Sequence, residues 1–166
     1  MSFFGDIKNT LSIAAGKAVR RNSGDTAFET YTPLGYSLTL TATAQSAPTD
    51  GQTDYWGGAN ALAPQTTEGR CRVFIPKTGT VKAIYIVAFA GTAGSAEAWS
   101  QYFRLNATTD TLIETTTETT SNRRWTNTGL SIAVTAGDSF EIKSIAPTWA
   151  TDPVNLRYTG VVYIET

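Results

Sequence analysis

The residues with chemistry to offer are few. Histidine is absent and cysteine occurs once, at Cys71. Ser-His-Asp and Cys-His constellations therefore cannot be assembled, nor can the usual Cys/His zinc sites. Cys71 alternates with Val73 and Ile75 in RCRVFI, so it reads as a small buried hydrophobe rather than a nucleophile. No glycine-rich loop ends in Lys-Ser or Lys-Thr at the spacing that cradles phosphates. A pair of carboxylates is the remaining route to hydrolysis. Glu114 and Glu118 fall on one strand face at i, i+4, about 13 Å apart if the strand is straight. That exceeds the separation either glycosidase mechanism uses, so the chain is not expected to be an enzyme.

Asp50, Gln52 and Asp54 in DGQTD offer hard oxygens at alternating positions, the donors calcium takes. The remaining acidic positions and the closing glutamate of an EF-hand loop are missing, which makes this a solvated turn and leaves no metal or cofactor expected. Aromatic residues are more promising. Rings stack on sugars, although they fill cores and interfaces more often. Tyr55 and Trp56 sit in a long segment rich in Gly, Pro, Ala and Thr, Gln45–Glu68, and Trp149 lies between Pro147 and Pro153. These three are the candidates for receptor or glycan contact, with Trp149 the best exposed of them. Arg123 and Arg124 precede Trp125, but two arginines in a chain of net charge -1 do not make a nucleic-acid site.

The elements that must position these residues are strands. The longest run of β-branched and aromatic residues is Gly79–Phe89, GTVKAIYIVAF. Val81, Ala83, Tyr85, Val87 and Phe89 alternate there with Lys82, Ile84, Ile86 and Ala88, so both faces are expected to be covered beyond a wet start at Lys82. Tyr36–Ala44 alternates cleanly, with Tyr36, Leu38, Leu40 and Ala42 inward and Ser37, Thr39, Thr41 and Thr43 outward. Further strands are expected at Arg70–Ile75, Trp99–Asn106, Thr111–Thr117, Ser121–Trp125, Leu130–Val134, Ser139–Ile145 and Val154–Glu165. In the last, Gly160 leaves room at mid-strand for a bulge or a neighbouring chain. About nine strands without an intervening helix predict an all-β sandwich, of jelly-roll kind.

Ahead of that domain (34–166) lies a segment of different character (1–33). Phe3, Phe4, Ile7 and Leu11 recur at three- and four-residue spacing before Gly16, which predicts a short helix over Ser2–Ala15. Such a helix is marginal alone in water, so its apolar face needs something to dock on, its own domain or a partner protein. Val19–Arg21 and Thr26–Tyr31 are short strand candidates around Asn22–Asp25. Met1–Gly16 makes a poor secretory signal, because Asp6 precedes Lys8 and polar residues dilute the uncharged stretch between Lys8 and Lys17. Export would need another route, such as release with a particle at lysis. No run of about 20 apolar residues predicts a membrane span. The chain of 166 residues is 41% hydrophobic and only 16% charged. Few charges on a large β surface leave weakly hydrated area of the kind a subunit interface covers.

Two sets of motifs carry a resemblance. GKAVRRNSGDTAFE, with Gly16, Arg20 or Arg21, Asn22, Thr26, Phe28 and Glu29, is similar to segments of tailed-bacteriophage virion proteins that join an attachment region to a trimeric β domain. Asp25 adds one residue to its turn. RVFIPKTGTVKAI, FRLNATTDTLI, LSIAVTAGDSFEIK and PTWATDPVNLRYTGVVYIE resemble successive strands of a domain common in phage fibre and capsid-decorating proteins. The resemblance implies a homotrimeric jelly-roll knob, similar to knobs of the tumour-necrosis-factor and C1q type, whose chains meet along strand faces and parts of Gln45–Glu68. It also implies a virion structural protein. With no room for a shaft between Gly16 and Tyr36, a decoration, cement or head-fibre protein on the capsid exterior is expected. Phe3, Phe4, Ile7 and Leu11 would anchor it to the major capsid protein. The alternative is a fibre tip that binds a host receptor or surface glycan and is held by a separate tail adaptor. Neither nucleic acid nor membrane is expected as a partner.

Overall fold

The computed structural model describes residues 34–58 and 63–166, with the backbone alone of Ala44, and the backbone alone of 18–21 and 28–31. The chain divides into two units, Met1–Gly35 and Tyr36–Thr166. In the first, β1 (Ala18–Arg21) and β2 (Phe28–Tyr31) pair antiparallel, with Ala18 opposite Tyr31 and Arg21 opposite Phe28. This is the hairpin expected around Asn22–Asp25. The expected helix and its residues Phe3, Phe4, Ile7 and Leu11 lie outside the described residues.

The second unit is an all-β sandwich of two sheets, with no helix among the described residues. One sheet holds β3 (Gly35–Gln45), β12 (Leu156–Glu165) and β6 (Gly79–Phe89) side by side. The far edge of β6 is shared by β9 (Asn122–Asn127) and β10 (Ile132–Val134). The other sheet holds β8 (Thr109–Thr116), β7 (Trp99–Leu105) and β11 (Ser139–Ile145), with β4 (Thr53–Trp56) and β5 (Val73–Phe74) sharing the far edge of β11. Each sheet thus sets an early strand beside a late one, β3 beside β12 and β4 beside β11. The expected long loop of Gln45–Glu68 is therefore interrupted: β4 is a strand, with Thr53 opposite Ile145 and Trp56 opposite Ile142.

Strand β3 alternates as its sequence demands, with Leu40 and Ala42 buried and Ser37, Thr39, Thr41 and Thr43 exposed. Strand β6 departs from expectation. Ala83 pairs with Tyr163 but Val81 pairs with Ile164, so Lys82 is the extra residue of a β-bulge. The bulge moves Val81 onto the core face with Ile84, Ile86 and Ala88, all essentially without exposure. On the other face Tyr85 is 47% and Phe89 48% exposed, and Val87 is half-buried. No described layer of this unit covers that face, contrary to the expectation for a strand buried on both sides.

The interior is filled from both sheets, by Leu40, Ile84, Ile86, Trp125, Leu156 and Val162 against Trp56, Trp99, Phe103, Phe140 and Ile142. Gly160 faces this core. A Cβ there would lie 3.0 Å from the Tyr85 carbonyl oxygen and 3.5 Å from the Trp56 ring. The room the glycine leaves is taken by the chain's own indole, not by a bulge or a neighbour. Both flanks of the sandwich are closed. Thr41 bridges to Gly57 on one side. On the other, the carboxylates of Glu114 and Glu118 accept from the backbone N–H groups of Thr126 and Arg124, and Asn127 Nδ2 donates to the Ile113 carbonyl at 3.1 Å. Side chains here satisfy an edge that would otherwise invite another strand.

Candidate functional site

The aromatic candidates do not form one platform. Trp56 is fully buried, its Nε1 donating to Gln101 Oε1 at 3.2 Å and its ring centred 5.1 Å from that of Tyr158. Inward parity on β4 puts it there, which removes it as a contact residue. Trp149 is buried as well, at 7% exposure, although its proline-flanked loop suggested the opposite. Its backbone N–H is held by Asp50 Oδ1 at 2.9 Å, and its ring meets Trp99 edge-on at 5.4 Å. Tyr55 points the other way from Trp56, half-buried, with the Arg104 guanidinium 6.0 Å above its ring. Of the three it alone reaches solvent appreciably.

What sequence reasoning missed is the cation beneath Trp149. Arg123 is fully buried, with its guanidinium carbon 4.9 Å from the Trp149 ring centre and 5.6 Å from that of Trp99. Its Nη2 donates to the carbonyls of Ala93 at 2.9 Å and Ser95 at 2.7 Å. Burial pulls its pKa down, and the charges of Glu97 and Glu118 act in the opposite sense. The loops above it are tied to each other: Thr151 N–H donates to Ser95 Oγ at 2.7 Å and Ala150 N–H to Glu97 Oε1 at 3.0 Å. Arg123 shares strand parity with Trp125, and that alternation is the one signal that pointed inward. It also takes Arg123 away from any basic surface.

The carboxylates are equally committed. Glu114 and Glu118 are both engaged with the backbone of β9, at Thr126 and Arg124. In DGQTD the solvated-turn reading fails at Asp54, which is 3% exposed. It accepts from Gln45 Nε2 at 2.8 Å and Gln52 Nε2 at 2.6 Å, so carboxamides rather than a cation balance it. Gln45 Oε1 in turn accepts from the Tyr158 hydroxyl at 2.8 Å. Burial, reinforced by the Asp54 charge, pushes the Tyr158 phenol well above its usual range. Asp50 and Asp152 line a shallow cleft of about 340 Å³ with Ala47, Pro48 and Thr49. Among the described residues no group of three His, Cys, Asp or Glu side chains is placed to hold a metal ion. Cys71 is buried, and its thiol is pushed up by desolvation and by Glu141, as suits a structural residue.

A surface remains. On the outward face of the first sheet, Tyr85 of β6 stands opposite Val161 of β12 and Thr126 of β9. Val87 stands between Thr159 and Arg124, and Phe89 between Arg157 and Asn122. Val161 is 36% exposed. Of the other large apolar side chains exposed in this unit, Phe74 and Leu112 belong to the second sheet.

No family model and no curated protein matches the sequence. Among solved structures, the chain is similar to the C-terminal CBM6 of LamC, a marine laminarinase from Zobellia galactanivorans, at 13% identity and a TM-score of 0.40, over 76% of this chain and 99% of that one. It is similar to the Eiger TNF of S. frugiperda at 11% identity and a TM-score of 0.40, over 80% of this chain and 94% of the other. Dimeric latent PorU from Porphyromonas gingivalis matches at 8% identity and a TM-score of 0.37, over 90% of this chain but 18% of its own length.

Proposed function

We propose that the chain is a virion structural protein of a tailed bacteriophage. It is a homotrimeric capsid knob of the decoration, cement or head-fibre kind, attached to the major capsid protein through its N-terminal arm. The observation that carries this reading is the division of the chain into a short N-terminal unit and a sandwich with a core of its own. Phage-like motifs run through both parts. Asp54, Glu141, the cysteine and all four tryptophans of the sandwich are buried, so its exposed surfaces are what it offers a partner. A knob that binds the assembled lattice and not the free capsid subunit stabilises the shell by mass action. The alternative of a receptor- or glycan-binding tail tip loses support with Trp56 and Trp149 inside the core. Cryo-electron microscopy of the particle tests the proposal. Density for the knob at repeated positions on the capsid is the expected result, and density confined to the tail tip overturns it in favour of the alternative.

A further inference from the structure

We propose that residues 63–72 form a strap that lifts off the second sheet without unfolding the sandwich, and that ionisation of Glu141 beneath it drives the lifting. The proposal is independent of where the knob sits on a particle. Strand parity turns Phe140 and Ile142 of β11 into the core and Glu141 outward. A carboxylate on an outward face ordinarily meets water, yet Glu141 is 1% exposed. The strap crosses over it. Gly69 N–H lies 3.2 and 3.1 Å from the two Glu141 oxygens, and the Glu141 charge reaches the Cys71 thiol.

Polar ties, rather than apolar burial, hold the strap down. Of residues 63–72 only Cys71 is buried. Gln65 exchanges two backbone hydrogen bonds with Tyr55 of β4, at 2.8 and 2.9 Å. Glu68 pairs with Arg104 of β7 at 3.0 Å, and Gly69 is held by Glu141. Arg104 Nε is buried there without a hydrogen-bond partner. Segments with so few buried apolar contacts open locally, at a fraction of the global free energy. Glu141 supplies the load. Desolvation raises its pKa above 4.5 against the Gly69 N–H and the charges of Arg72 and Arg104, while Glu68 adds to the rise. Lys143, two positions along the same face, is taken up by Asp110 at 2.6 Å. The Cys71 thiol, pushed up by its own burial, stays protonated through this range. Lifting the strap returns water to Glu141 and its pKa toward the ordinary value. The closed form therefore binds the proton more tightly, so the strap is held best in acid and loosens as pH rises through the closed-state pKa. A carboxyl held one pH unit above its ordinary value changes such an opening about tenfold. The Glu68–Arg104 pair acts with the opposite sign, because the ionised carboxylate holds the strap. It is common to wild type and Glu141→Gln and cancels between them.

Hydrogen exchange of the full chain, read by mass spectrometry and corrected for intrinsic rates, tests the proposal. In the wild type at neutral pH, residues 63–72 should be at least about 100-fold less protected than β7 and β11. The ratio of Glu141→Gln to wild-type protection over 63–72 should rise at least about fivefold from about pH 4 to about pH 7. Far-UV circular dichroism establishes that the variant is folded. If it is not, Glu141→Ala takes its place, and the same rise in the ratio is expected. Cys71 gives a second reading that needs no variant. Its reaction with dithiodipyridine, relative to that of the unfolded chain at the same pH, should outpace exchange of β11. Protection over 63–72 equal to that of β11, or a Cys71 thiol that reacts only as β11 exchanges, overturns the strap. A ratio that does not change with pH overturns Glu141 as its driver.

Discussion

Arg123 shows how a single residue can organise the end of the sandwich. A buried guanidinium is costly unless its charge is met, and here two indole faces and the two carbonyls on Nη2 meet part of it, while Nε and Nη1 are buried without a hydrogen-bond partner. Arg123→Met keeps a flexible apolar filler between the rings but leaves the Ala93 and Ser95 carbonyls without their donor. These acceptors are part-buried, so the loss a denaturant melt should show is about 1 kcal/mol, the low end of what a stripped buried acceptor costs. A melt unchanged from wild type would mean the carbonyls find other donors. Glu141 makes a second, pH-dependent case. Its carboxylate is 1% exposed and takes the Gly69 N–H on both oxygens. Desolvation outweighs that bond and the pull of Arg72 and Arg104, so its pKa is raised above the ordinary 4.5. A raised carboxylate binds its proton more tightly when folded. Its contribution to stability is whole below the ordinary value and is lost as pH rises through the folded one. Glu141→Gln should therefore gain on wild type as pH climbs from about 4 toward neutrality, with the gain levelling off above the folded pKa. Asp110, whose pKa is lowered against its own desolvation by Lys143 and Arg104, acts with the opposite sign on the acid side. It is present in both proteins and cancels in the comparison. A stability difference that does not change with pH would show that Glu141 is not what titrates.

At the scale of elements, β6 decides which faces the sheet presents. Ile86 is 1% exposed and faces the opposite sheet, while Val87 is half-buried on the outward side. Ile86→Ala removes buried methyl groups and should cost about 2–5 kcal/mol. Val87→Ala should stay within about 0.5 kcal/mol when the chain is dilute enough to be monomeric, as partly exposed sites away from special features do. Chemical melts at nanomolar and micromolar concentration compare the two, and a penalty at Val87 that appears only at the higher one marks an interface. Equal costs at every concentration would mean a covering layer from the chain itself. The alternation of Ile84, Ile86 and Ala88 was legible in the sequence, as was β3. The bulge at Lys82 was not, because nothing in VKAI marks where one residue goes unpaired. Sequence parity therefore put Val81 on the wrong face. Strand β4 escaped for a related reason: four residues inside a Gly- and Pro-rich stretch are too few to show a period.

For the molecule as a whole, patterns that repeat were readable and pairings between distant segments were not. Low charge pointed to a large weakly hydrated surface, and the strand count pointed to a two-sheet sandwich. The inward turn of Trp149 depends on Asp50 and Arg123, which lie 99 and 26 positions earlier in the chain, and no local signal joins them. The same separation of local from distant governs the division of labour between the two units. Among the described residues the buried apolar residues of the core cluster lie between Leu40 and Ile164, with Tyr36 and Leu38 packed against it, so the sandwich has an interior of its own. Deleting Met1–Ala15 should accordingly leave the stability within about 0.5 kcal/mol of the full chain, the scatter of neutral changes. The assembly state should be retained too, because the sandwich keeps its own surfaces. What the deletion should remove is attachment. Co-sedimentation with undecorated capsids separates the two roles, since a knob that is folded and trimeric yet stays in the supernatant has lost its anchor and nothing else. A truncated knob that pellets as fully as the intact chain would move the attachment site onto the sandwich itself. The exposed Phe74, on the second sheet, would then be the first position to mutate.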